Sequence, residues 1–150
     1  MAEEVKQTMT VRSIIEIAGF PAEHVKETLE LVIDKVKKSK QIKILSSKVN
    51  DPNPISEKFF SGFVELELVF EDFDSIMGFV LDYMPSSIEI IQPETWTEDT
   101  KKLTFFINDL IAKLHNIDAQ LKVLKAKNVV MTKELAKLKP KENKPSETKK

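Results

Sequence analysis

The stretch FVELELVF, residues 63 to 70, alternates without a break. Val64, Leu66, Leu68 and Phe70 fall on one side of an extended chain, and Glu65 and Glu67 fall on the other. Successive strand side chains point to opposite faces, so this pattern specifies a strand with one dry face and one mostly wet face. A one-residue slip would put both glutamates in the core, which fixes the register. A sheet with one dry face needs other elements to cover it.

Working backwards, QIKILSSKV at 41 to 49 reads as a second strand, followed by the loop Asp51-Pro52-Asn53-Pro54, where two prolines cannot donate to a ladder. Within residues 21 to 38, Val25, Leu29, Val32 and Val36 recur at steps of four, three and four, the spacing of an amphipathic helix. Pro21 suits its first turn, and Lys35, Lys37 and Lys38 suit its negative C-terminal end. Before it, TVRSIIEIA at 10 to 18 places Val11, Ser13, Ile15 and Ile17 on one side and Arg12, Ile14 and Glu16 on the other. That is a first strand, preceded by a flexible N-terminus over 1 to 9.

Working forwards, Asp72 or Asp74 can cap a short helix carrying Ile76, Phe79, Val80 and Tyr83. Pro85-Ser86-Ser87 ends it, and SIEII at 87 to 91 makes a fourth strand. Strand, helix, strand, strand, helix, strand is an α+β order, most economically a four-stranded antiparallel sheet with both helices on one face. The order resembles the ferredoxin-like plait over residues 10 to 92, and ligand-binding modules of the ACT type are similar in order. The resemblance is topological and carries no activity with it.

Residues 93 to 97 read as a linker and helix cap, with Thr95 and Glu98 spaced as a capping box that starts a helix near Trp96. From there to 138 the apolar residues follow a heptad. Leu103, Leu110, Ile117, Leu124, Met131 and Leu138 take d positions, and Ile107, Leu114, Leu121, Asn128 and Leu135 take the a positions between them. Phe105, Phe106 and Ile111 widen the apolar surface at the start. A helix of this length extends roughly 65 Å, more than one small head covers, so the narrow stripe over 98 to 138 predicts a coiled coil. Asn128 is costly against an apolar neighbour but pairs with its own counterpart in a parallel dimer. Of the flanking pairs, Lys113 can reach Asp118 of a parallel neighbour and none is like-charged. The first expected partner is therefore a second copy, with a further, unidentified protein partner for the paired heads. Residues 139 to 150, KPKENKPSETKK, contain no apolar residue and read as a disordered basic tail.

The formal net charge of −1 conceals an asymmetry. Residues 57 to 99 carry one basic and eleven acidic side chains, whereas residues 100 to 150 carry thirteen basic and five acidic. The basic coil and tail admit a nucleic-acid-associated reading, but Lys113, Lys122, Lys125, Lys127, Lys133, Lys137 and Lys139 scatter around the helix without interleaved aromatics. The chain has no cysteine, which excludes disulfides, thiolate metal sites and cysteine nucleophiles and fits a cytoplasmic protein. No stretch has the apolar length of a membrane span or the pattern of a leader.

No residue set supports catalysis, a metal or a cofactor. His24 and His115 lie on different helices, the serines lack a base, and the three glycines are scattered. The turn Asp82-Tyr83-Met84-Pro85-Ser86-Ser87 gathers a phenol, a carboxylate and hydroxyls. Asp82, Tyr83 and Ser86, together with Trp96, are the candidates for ligand or partner contact, although a packed tyrosine in a satisfied turn explains them more simply. The expected function is a non-enzymatic homodimeric interaction protein, with nucleic-acid association or ACT-like ligand sensing as alternatives.

Overall fold

A computed structural model describes residues 8–138. Most of the N-terminal segment, and the tail over 139 to 150, lie outside the described residues. The elements run β1 (Met9–Gly19), α1 (Ala22–Lys37), β2 (Ile42–Pro54), β3 (Phe60–Phe70), α2 (Phe73–Tyr83), β4 (Ser87–Gln92) and α3 (Thr100–Leu138). The four strands form one antiparallel sheet in the order β2-β3-β1-β4. This α+β architecture is consistent with the ferredoxin-like order expected from the sequence. Each helix joins two strands that have a third between them, and right-handed crossovers then place both helices on the same face.

The alternation in β1 and β3 sets that face. Val11, Ser13 and Ile15 lie opposite Leu68, Leu66 and Val64, and all six are buried. Onto them pack Val25, Leu29, Ile33 and Val36 of α1, and Phe73, Ile76 and Phe79 of α2. Phe70 and Phe79 meet edge to face at 5.4 Å between ring centroids, a favoured aromatic geometry. Met9, assigned from sequence to the flexible N-terminus, instead opens β1 opposite Phe70 and is buried in this core. In α1 it is Ile33 rather than Val32 that completes the buried stripe, Val32 packing at its margin.

β2 departs from expectation. The chain stays extended through Pro52 and Pro54, with Asn53 and Pro54 opposite Ser61 and Phe60, instead of leaving the sheet as a loop after Val49. β2 is an edge strand, where a proline facing away from its neighbour loses no ladder bond, and a register shift between Asn50 and Asn53 absorbs the mismatch. Gly62 explains how closely α1 approaches here. A Cβ at that position would sit 3.0 Å from Val25 Cγ1 and 3.1 Å from Leu29 Cδ1.

The helix ends are specified locally. Asp72 accepts from the Ser75 backbone N–H at 2.9 Å while the Asp72 N–H donates to Ser75 Oγ, a reciprocal capping box. For α3 the cap is Asp99, whose carboxylate accepts from the Lys101 N–H at 2.8 Å. The expected Thr95–Glu98 box is not formed. Trp96 stacks on Phe73 outside the helix, and Glu98 accepts from the Asp99 N–H and pairs with Lys102. The helix therefore begins at Thr100, a few residues later than the sequence suggests.

By contact the chain divides into two units, one ending at Phe106 and the other beginning at Ile107. Trp96 and Phe106 both touch the Phe73 ring, at 4.4 and 6.2 Å between centroids, so the first two turns of α3 belong with the head.

Candidate functional site

Two features of the described residues are candidates for contact. The first surrounds Tyr83 at the C-terminal end of α2. Its ring packs on Phe79 at 5.1 Å and stands between two clefts. One, of about 290 Å³, is bounded by Ser39 and Gln41 from the turn before β2 and by Asp74, Gly78 and Asp82 from α2. The other, of about 350 Å³, is bounded by Ile15, Glu16 and Ile17 of β1 and Val32 and Lys35 of α1. Burial, and then the neighbouring Asp82 carboxylate, push the Tyr83 phenol above its ordinary pKa of 10.0, so it is a neutral hydrogen-bonding group at physiological pH.

Asp74, Gly78 and Asp82 recur every four residues and so share one face of α2. A Cβ at Gly78 would meet nothing within 4 Å, so packing does not demand glycine there, while its missing side chain leaves the cleft between the two aspartates open. That spacing was visible in the sequence. Ser39, Gln41 and Lys35 carried no local signal and reach the clefts only through the fold.

Of the residues singled out from sequence, Asp82 and Tyr83 come together in the clefts. Ser86 does not join them, because its N–H and Oγ both donate to the Ile14 carbonyl and fasten the turn to β1. Trp96 lies on Phe73, at the opposite end of α2. The turn itself is tight, with Met84 left-handed at φ 44° and its N–H donating to Val80 O.

The second feature is α3. None of its residues is buried. Leu103, Ile107, Leu114, Ile117, Leu121, Leu124, Met131, Leu135 and Leu138 are 44% to 78% exposed, and Leu110 is half-buried. At the one polar a position, Thr132 Oγ1 donates to the Asn128 carbonyl at 2.8 Å and to its side-chain oxygen at 3.3 Å.

The open face of the sheet mixes charges, with acids in the majority. By register it carries Glu16, Glu65, Glu67 and Glu89 against Arg12, Lys43 and Lys48, with Phe63 as its aromatic. Arg12 is engaged by Glu89 at 2.9 Å. Among the described residues no group of three or more histidine, cysteine or acidic side chains is placed to hold a metal ion, and no helix is long and apolar enough to cross a membrane.

The profile of the MJ0538 family matches residues 10–142, and the chain belongs to that family. The match takes in both the head and α3. No curated protein and no solved structure matches the chain.

Proposed function

We propose that this member of the MJ0538 family is a non-enzymatic interaction protein, a homodimer in which a parallel coiled coil through α3 holds two ferredoxin-like heads for a partner. The observation that carries the reading is the exposed heptad ridge. A helix of 39 residues with no buried side chain leaves its leucines in water, and a second copy in matching phase would remove them. Asn128, already tied to Thr132 through its oxygen, keeps its amide nitrogen for the opposite asparagine. Two heads on one stalk bind a divalent or repetitive target with an avidity that neither has alone.

Sedimentation of the full chain tests this directly. The expected mass is about twice 17.2 kDa, and a monomer at high micromolar concentration overturns the reading.

The clefts beside Tyr83 favour a second reading, a small-ligand sensor of the ACT type. It predicts a raised melting temperature with a member of a metabolite panel, lost on Tyr83→Ala. The nucleic-acid reading has the lysines of α3 in its support and no surface on the sheet. Retardation of nucleic-acid probes that falls steeply with salt would revive it.

A further inference from the structure

α3 carries a second apolar stripe, away from its heptad ridge. Counting Leu103 as d, Ala112, Ala119 and Ala126 fall at f, Val123 and Val130 at c, and Val129 beside them at b, with Asn116 at the remaining c position as the polar residue of the stripe. At 100° per residue, the centre of the c and f positions lies roughly 160° from the centre of a and d. A coil closed through a and d therefore leaves this stripe on its outer surface. The three valines are 53% to 54% exposed. Valine loses side-chain freedom in a helix and is a poorer helix former than alanine, lysine or glutamate, so three of them in water have no local justification.

The rim of the stripe decides what could cover it. Pairing two copies in parallel through c and f would set each b residue against the g residue five positions on, and so place Lys122 against Lys127. The same operation through a and d gives no like-charged pair, with Lys113 against Asp118. One face tolerates a second copy and the other repels it. Around the outer stripe stand Lys113, Lys122 and Lys127, with Glu134 near its end. Lys122 Nζ meets Asp118 Oδ2 at 2.6 Å on the same helix, a surface pair that water screens and that a partner can share.

We propose that the outer stripe from Ala112 to Val130 is a docking face for an acidic amphipathic helix of another protein, its carboxylates over the lysine rim. The alanines at f let that helix approach closely. The proposal rests on the coil reading, since pairing through a and d is what defines the outside.

The test uses the full chain and two synthetic helical peptides of roughly three heptads with identical apolar positions, one bearing glutamate and the other lysine at e and g. Calorimetry and sedimentation are read together. The acidic peptide is expected to bind, more weakly as salt rises, in a complex that still contains two chains, while the basic peptide does not bind. Val123→Gln with Val130→Gln, which keeps helix propensity, should weaken binding at least about tenfold and leave the free dimer mass unchanged. Absence of binding, equal binding of the basic peptide, or native binding by the double variant overturns the proposal. So does a peptide that displaces the second copy, or a four-chain mass without peptide. A monomer before any peptide is added defeats the coil reading itself, which separates the two failures.

Discussion

The rings of Trp96 and Phe73 lie 4.4 Å apart between centroids, tilted by 43°, and this contact ties the segment before α3 to the first turn of α2. Phe73 is also buried in the core and touches Phe106. Phe73→Ala should cost about 3 to 5 kcal/mol, the range for deleting a core ring. Trp96 is the sole tryptophan, so its emission reports the loss. A shift to longer wavelength before global unfolding is expected, and unchanged emission in a folded variant would mean that the stacking does not anchor the segment.

Gly62 and Gly78 should respond to substitution with opposite signs. At Gly62 a Cβ meets Val25, Leu29 and Pro52 within 3.3 Å, so Gly62→Val forces α1 away from β3 at a cost of about 1 to 3 kcal/mol. At Gly78 there is open space on a helix interior, and Gly78→Ala should stabilise by about 0.5 to 1 kcal/mol. Chemical denaturation of both variants checks the pair. If the cleft beside Tyr83 takes a ligand, Gly78→Ala will stabilise the fold while weakening that binding.

The sheet was legible because FVELELVF alternates and because Val11, Ser13 and Ile15 repeat the alternation, so both dry faces followed from period alone. The cap of α2 was legible only as Asp72 or Asp74, and the fold selects Asp72. The continuation of β2 through Pro52 and Pro54 was not, because nothing near residue 50 says whether a strand lies at an edge, and only there are prolines tolerated. The start of α3 was misplaced because Thr95 and Glu98 have capping spacing, whereas a ring contact from another helix holds Trp96 out. Of the residues lining the clefts, Asp82 and Tyr83 were singled out from their turn in the sequence. Ser39, Gln41 and Lys35 come from other elements and only the tertiary fold supplies them. The exposed ridge of α3 needed no fold to be seen, since its heptads are written in the sequence.

Tyr83 is the sole tyrosine, so phenolate absorbance titrates one residue. In the folded chain its pKa is raised above 10.0 by burial and by Asp82, and unfolding returns it to the ordinary value. The stability linked to this group is therefore fully present below pH 10 and is lost as pH rises through the folded pKa. Spectrophotometric titration should give a midpoint above that of the chain in denaturant. Asp82→Asn should lower the midpoint part of the way and not wholly, since burial is the larger cause. Coincident midpoints in folded and unfolded chain would show that Tyr83 is solvated.

Asn128 is the polar residue in a ridge otherwise made of leucine, isoleucine and methionine. In a parallel coil it faces its counterpart, which costs stability relative to leucine and rejects registers and orientations that would leave an amide unpaired. Asn128→Leu should therefore raise the melting temperature of the assembly and at the same time broaden its composition, with trimers or antiparallel pairs joining the parallel dimer. Sedimentation resolves the masses. Single cysteines introduced at Leu138, in a chain that has no other, resolve the orientation, because only parallel partners bring the two C-terminal ends within disulfide distance. Efficient cross-linking in the parent chain and partial cross-linking with Asn128→Leu is the expected pair of results. Equal efficiency in both would leave Asn128 without a role in alignment, and failure in the parent would exclude the parallel coil.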